Sequence, residues 1–195
     1  MRFDFTGLGE SEGDFAGTNF SSNVSDLVAA AEFLAGHYQA PKLLIGHSFG
    51  GTACLQAALE IPGAAAVVTI GSPAEPSHVQ RHLAHAKRQI EQTGEAEIHL
   101  AGRPIRIRRQ FMEDIREPRI AGALPRLNRA LLILHSPADE VVGIENAAHL
   151  FKAARHPKSF VSLDNADHMM SKAEDSEYAG AVIAAWAGRY ISPKR

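Results

Sequence analysis

Short apolar runs alternate along the chain with longer stretches in which apolar residues recur every three or four positions. Arg2–Phe5, Lys42–His47, Ala65–Gly71, Ala130–His135 and Lys158–Leu163 are too short for comfortable helices and end at glycine, serine or charged residues. Each therefore reads as a strand. Between them, Val24, Leu27, Val28, Ala31, Leu34 and Ala35 make a one-sided stripe at helical spacing, with Asn23 and Asp26 placed to cap its start. Phe49–Ile61 is apolar nearly all round, which predicts a buried helix stopped by Pro62-Gly63. Asn146–Arg155 and Glu177–Tyr190 complete the helical set, the last with Tyr178, Val182, Trp186 and Tyr190 on one side. Strands alternating with helices predict an α/β fold, a mostly parallel sheet with helices on both faces.

Residues from Ile90 to Pro125 interrupt this rhythm. Glu97–Leu100 and Ile105–Arg108 flank Ala101-Gly102-Arg103-Pro104, the pattern of a small hairpin, and Phe111–Arg116 follows as a short helix. A polar, irregular insertion between two sheet strands is expected to be a surface excursion, lid-like over a site. No repeat or linker marks a second domain, so residues 1–195 are expected to form one domain, with 90–125 inserted in it.

Composition narrows the function classes. With 20 Lys+Arg against 22 Asp+Glu, the formal charge of −2 gives no basic surface for nucleic acid. One cysteine, Cys54, excludes an internal disulfide. No apolar run reaches the roughly 18 residues of a membrane span, and the first residues do not form a signal peptide. The expectation is a cytoplasmic chain without membrane partners.

The strongest chemical signal is Gly46-His47-Ser48-Phe49-Gly50-Gly51, directly after the apolar run Leu43-Leu44-Ile45. Strand, G-x-S-x-G and helix in that order form a nucleophile elbow, a sharp turn that holds the serine in a strained backbone conformation. Gly46 and Gly50 supply neighbours without side chains, and the Phe49 N–H at the start of the helix can hold a developing oxyanion. A serine needs a base, and the base an orienting acid; the elbow architecture puts them later in the chain, acid before histidine. Asp139 follows the strand ending at His135, and His168 follows the strand ending at Leu163. All three would gather at the carboxyl edge of a parallel sheet.

Rivals exist for each role. Glu140 competes as the acid, Asp167 adjoins His168 as a loop-capping residue, and Asp164 suits a turn. His47 and His135, at strand ends, fit core or supporting groups. His78, His82 and His85 share one helical face, the spacing of a metal site, yet no H-E-x-x-H accompanies them; a solvated helix side is favoured and no metal is expected. Gly7-Leu8-Gly9-Glu10-Ser11-Glu12-Gly13 imitates a dinucleotide loop, but its acids would face a pyrophosphate, so no cofactor is expected. Arg103, Arg106, Arg108 and Arg109 read as a solvated hairpin face rather than an anion site.

These stretches together resemble the α/β-hydrolase superfamily: Phe3–Gly13, the elbow at Ser48, Leu132–Val142 and Asp164–Met169. More narrowly, the chain is similar to the serine-hydrolase domain that some bacteria fuse to an OsmC-type peroxide-reducing domain. No OsmC-like segment lies within these residues, and no peroxidase role is expected of them. The resemblance implies Ser48 as nucleophile, Asp139 as orienting acid, His168 as base, ester or thioester acyl substrates of small-molecule size, and no cofactor. It also implies three strands ahead of Arg2–Phe5, one of which separates that strand from Lys42–His47 and is followed by a loop giving a second oxyanion N–H. The expectation is an amino-truncated product, with Arg2–Phe5 pairing directly to Lys42–His47 or fraying. One row of backbone groups would stay open to self-association. The alternative is an inactive hydrolase remnant that binds a ligand or partner; a nucleotide-binding module is a distant third.

Overall fold

A computed structural model describes residues 1–81, 83–100 and 103–192, the side chains of Leu100 and Arg103 excepted. Four of the five expected strands form: β1 (Leu43–His47), β2 (Ala66–Ile70), β5 (Ala130–His135) and β6 (Lys158–Ser162). They pair in the order β1-β2-β5-β6, all parallel, with Ile45 opposite Val68, Val68 opposite Leu132 and Leu134 opposite Val161. β2 and β5 are buried along their whole length, as expected of central parallel strands.

Helices cover both faces. One face packs Val67, Leu131 and Ile133 against α1 (Phe20–His37), α2 (Phe49–Ala57) and α6 (Glu145–Ala153). The other packs Val68, Ile70, Leu132 and Leu134 beneath Ala179 and Ile183 of α7 (Ala173–Ile191). The buried stripe of α7 is thus Ala179, Ile183 and Ala187. That lies one position on from the larger side chains named from the sequence. Small residues let the helix sit close to the sheet, while Trp186 reaches past it to donate to Ser159 Oγ at 3.0 Å.

The amino end departs from expectation. Arg2–Phe5 forms no strand and pairs with nothing in the sheet. Phe3 and Phe5 instead meet edge to face at 5.6 Å, and Phe5 packs towards the start of α2. The Gly7–Gly13 stretch is a series of tight turns with φ of +74°, +56° and +100° at Gly7, Gly9 and Gly13. Asp26, expected to cap α1, instead receives the Thr6 N–H at 2.9 Å and hydroxyl at 3.1 Å. α1 starts earlier, at Phe20, because Asn19 and Ser22 form a reciprocal capping box. β1 is consequently an edge strand among the described residues, and Ile45 on it is 50% exposed.

The insertion between β2 and β5 is larger and better packed than a surface excursion. After a 3-10 turn at Pro76–Arg81 come α3 (Ala84–Thr93), the antiparallel hairpin β3 (Glu95–Leu100) and β4 (Arg103–Arg108), then α4 (Arg109–Asp114) and α5 (Ile120–Ala123). The hairpin stands where the sequence put it; Ala101 and Gly102 lie outside the described residues. Ile90, Ile98, Ile107, Phe111, Ile115 and Ile120 are buried in the same cluster as α1 and α2. Its polarity belongs to one side only, and its apolar side extends the core.

Candidate active site

The end of β1 runs straight into α2 through Ser48, whose backbone sits at φ 51°, ψ −131°. A non-glycine residue there is strained, and the surroundings must hold it. The Ser48 N–H is fixed by the Ile70 carbonyl at 2.8 Å. A Cβ on Gly46 would collide with the Gly50 carbonyl and come within 2.5 Å of the Gly51 backbone, so strand and helix approach too closely for any side chain there. Gly51 is equally tight against Ser72, whereas Gly50 has room, meeting only Phe5 at 3.7 Å. The close-packed pair is therefore Gly46 and Gly51 rather than Gly46 and Gly50.

Two loops bring partners to Ser48. His168 Nε2 lies 3.0 Å from Ser48 Oγ, and His168 Nδ1 lies 2.8 Å from Asp139 Oδ2. An ionised carboxylate only accepts, so Nδ1 carries the proton and Nε2 is left to accept from the serine. The Asp139 side chain is only 2% exposed. Its second oxygen, Oδ1, accepts from the N–H groups of Val141 at 2.9 Å and Val142 at 2.8 Å, which hold the carboxylate in place. Glu140 is exposed and, among the described residues, makes no bond in the site; Asp164 and Asp167 are exposed as well. Asp167 caps its own loop through the Ser171 N–H, and that bond is the main cause of its lowered pKa. Among the described residues the N–H groups of Phe49 and Gly50, at the start of α2, make no hydrogen bond, so both remain available to an anion.

The strand-end histidines support these loops. His135, fully buried at the end of β5, reaches the Val142 carbonyl at 2.7 Å through Nε2. His47, at the end of β1, reaches the His168 carbonyl at 2.7 Å, also through Nε2. Burial is the largest influence on the His47 ring and lowers its pKa, outweighing the bond to the His168 carbonyl, which raises it; the neutral form is favoured. Sequence reasoning missed Gly71, whose φ of +53° turns the chain at the end of β2. A Cβ there would lie 3.1 Å from Asp139 Oδ2 and 3.5 Å from His168 Nδ1. The only available signal was a Gly-Ser pair closing a strand.

Other candidates disperse. His78 stands on the 3-10 turn and His85 on α3, so the two do not share one helix, and His82 lies outside the described residues. Among the described residues no cluster of metal-ligating side chains occurs. Arg106 and Arg108 pair with Glu95 at 3.6 and 3.2 Å, and Arg109 donates to the Glu91 carbonyl. Two clefts, about 340 and 290 Å³, lie along α1 and between α3 and α4; Ser48 lines neither.

The alpha/beta hydrolase family's sequence model matches residues 1–184. The chain belongs to the alpha/beta hydrolase family. It is 47% identical to the esterase domain of a Rhodothermus marinus protein, over 93% of this chain and 74% of that one, with a TM-score of 0.73. Mouse alpha/beta hydrolase domain-containing protein 10 shares 23% identity over 96% of this chain and 77% of its own, at a TM-score of 0.76. A monoacylglycerol lipase of Paleococcus ferrophilus shares 20% over 94% and 80%, at 0.73. A search of curated proteins returned no match. Among the described residues no helix of this hydrolase is long and apolar enough to cross a membrane.

Proposed function

We propose that this hydrolase is a serine esterase or thioesterase that works through an acyl-enzyme on Ser48. The observation that carries the reading is the unbroken relay from Ser48 Oγ through His168 to Asp139, at 3.0 and 2.8 Å. Ser48 Oγ attacks the substrate's carbonyl carbon while His168 Nε2 takes the hydroxyl proton. The carbonyl oxygen becomes an oxyanion beside the Phe49 N–H, at the positive end of α2. Collapse breaks the bond to the alcohol or thiol, which leaves with the proton from His168. Water then repeats the sequence: its proton goes to His168, its oxygen to the acyl carbon, and Ser48 leaves reprotonated with the carboxylic acid as product. Asp139 stabilises the imidazolium that forms twice in each cycle. The likeness to the Rhodothermus marinus esterase domain supports the ester class. The insertion brings Phe111 to 6.1 Å from the ring of Phe49, the residue after Ser48, which supports its lying near the site.

A fluorophosphonate probe tests this. The wild-type protein takes the label covalently, Ser48→Ala takes none, and folded wild-type protein that stays unlabelled refutes the reading.

A second reading concerns partners and rests on the open edge of β1. We propose that two copies associate there. By the alternation of a parallel ladder, the backbone groups of Leu43, Ile45 and His47 face away from β2. A two-fold axis at Ile45 would pair that row with its own copy, Leu43 opposite His47, and cover an apolar residue that is 50% exposed. Sedimentation of wild type and Ile45→Lys decides it: a dimer lost in the variant supports pairing, and a wild-type monomer at tens of micromolar rejects it.

A further inference from the structure

His47 carries a contact that the relay itself does not use. It is the residue immediately before the nucleophile, and its ring crosses to the base's loop, 121 positions away in sequence. Nε2 lies 2.7 Å from the main-chain carbonyl of His168. A carbonyl can only accept, so Nε2 carries the proton and the ring is a donor in a defined tautomer. The two imidazoles lie side by side, centroids 4.8 Å apart and planes inclined by 44°.

The loop that receives this bond is held at its start by the Leu163 N–H on the His135 carbonyl and by the packing of Leu163, Ala166 and Met170 beneath α7, while the rest of it lies at the surface. Asp164, Asn165, Asp167 and Met169 are exposed. Ala166 and Met170 bond only within the loop, to the Leu163 and Asp167 carbonyls. Among the described residues the His168 main chain makes no other hydrogen bond. The bond from His47 therefore ties the backbone of the base to the strand end that also carries the serine.

On the serine-hydrolase reading, we propose that His47 is a positioning residue that sets the distance between His168 Nε2 and Ser48 Oγ by anchoring the His168 carbonyl to β1. The geometry makes its contribution specific. The relay spans 3.0 Å, and a shift of the loop by an ångström would take Nε2 out of reach of the hydroxyl proton. Ser48 itself is held through its N–H by the Ile70 carbonyl of β2, so it would not follow the loop. A neutral ring suits the role. It adds no charge beside the imidazolium that His168 becomes during turnover, and burial favours that neutral form.

The test separates the hydrogen bond from the bulk of the ring. His47→Leu keeps an apolar side chain but has no donor; His47→Gln can place an amide N–H near the position of Nε2. With p-nitrophenyl acetate, His47→Leu is expected to lose about 10²-fold in kcat, the cost of an ångström's misplacement, with KM within about twofold. Fluorophosphonate labelling slows in parallel. His47→Gln restores both to within about fivefold of wild type. Amide exchange across residues 164–170 speeds up in His47→Leu and returns to the wild-type rate in His47→Gln. His47→Leu with wild-type kcat and exchange overturns the inference, and so does a His47→Gln that falls as far as His47→Leu. Wild-type protein that takes no probe would sink the serine reading instead, and the exchange comparison would then decide the anchor by itself.

Discussion

Gly71 faces the Asp139 carboxylate so closely that a single added carbon would lie 3.1 Å from Oδ2 and 3.5 Å from the His168 ring nitrogen it serves. The Asp139 carboxylate and the His168 ring meet over a bare backbone. Its φ of +53° adds a second restriction, since a side chain in the left-handed region costs about 1–2 kcal/mol. Gly71→Ala is expected to lower the melting temperature and, on top of that, to cut kcat by pushing Asp139 and His168 apart. Steady-state kinetics on folded variant, beside a thermal melt, checks both. Unchanged kcat with a lowered melting point would mean that the contact does not constrain the pair.

Asp139→Asn has an effect that follows from which oxygen is already engaged. Oδ1 accepts from two backbone N–H groups, so an asparagine must place its carbonyl oxygen there and its NH₂ towards His168. Two donors would then face each other unless the imidazole moves its proton to Nε2, the atom that has to accept from Ser48. Fold and melting temperature should change little while kcat falls about 10⁴-fold, the scale found when a triad histidine is held in the wrong tautomer. Comparable activity would mean that Asp139 does not orient the base.

The two central strands were legible because both neighbours bury them: Ala130–His135 is a continuous apolar run, and a central strand must be one. Ser48, Asp139 and His168 could be lined up in sequence because each follows the carboxyl end of a strand by one to six residues. What sequence could not supply is whatever depends on a neighbour. Phe3 and Phe5 alternate as a strand would, yet among the described residues no strand lies beside them to accept their hydrogen bonds. The insertion looked polar because its charges are conspicuous, while its buried isoleucines are spaced over several short elements. Gly50 belongs to the motif and Gly51 stands just past it, yet it is Gly51 that closes against Ser72 and the Gly46 carbonyl.

That distinction is testable. Gly46→Ala and Gly51→Ala force backbone or Ser72 out of place, and each is expected to unfold the protein or to cost about 1–3 kcal/mol or more, as overpacked sites do. Gly50→Ala meets only Phe5 at 3.7 Å and lies in a helix, where alanine is favoured over glycine by about 1 kcal/mol. Urea unfolding should find it neutral to slightly stabilised. Equal damage at Gly50 and Gly51 would contradict the packing described.

Cys54 provides a control on the identity of the nucleophile. It lies in α2, and burial pushes its thiol up to about 12, so almost no thiolate exists at neutral pH. Iodoacetamide should leave the native protein unmodified and react only after denaturation, and Cys54→Ala should retain fluorophosphonate labelling. Rapid native alkylation accompanied by loss of labelling would move the chemistry away from Ser48.

Glu75 fastens the return of the insertion to the sheet. Its two carboxylate oxygens accept from three consecutive backbone N–H groups, those of Arg119 at 2.8 Å, Ile120 at 3.1 Å and Ala121 at 2.7 Å. Arg119 in turn pairs with Asp114 at 2.6 Å, and Asp114 receives the N–H and hydroxyl of Ser21 at the start of α1. Glu75→Ala removes every acceptor at once beside fully buried Ile120, which should cost about 1–3 kcal/mol. Because the loss falls on one segment, opening should be local before it is global. Trypsin should cut at Arg116 or Arg119 in the variant under conditions that spare the wild type, while the far face beneath α7 stays protected from exchange. Cleavage spread evenly over the chain would instead mean that the insertion and the sheet unfold as one unit.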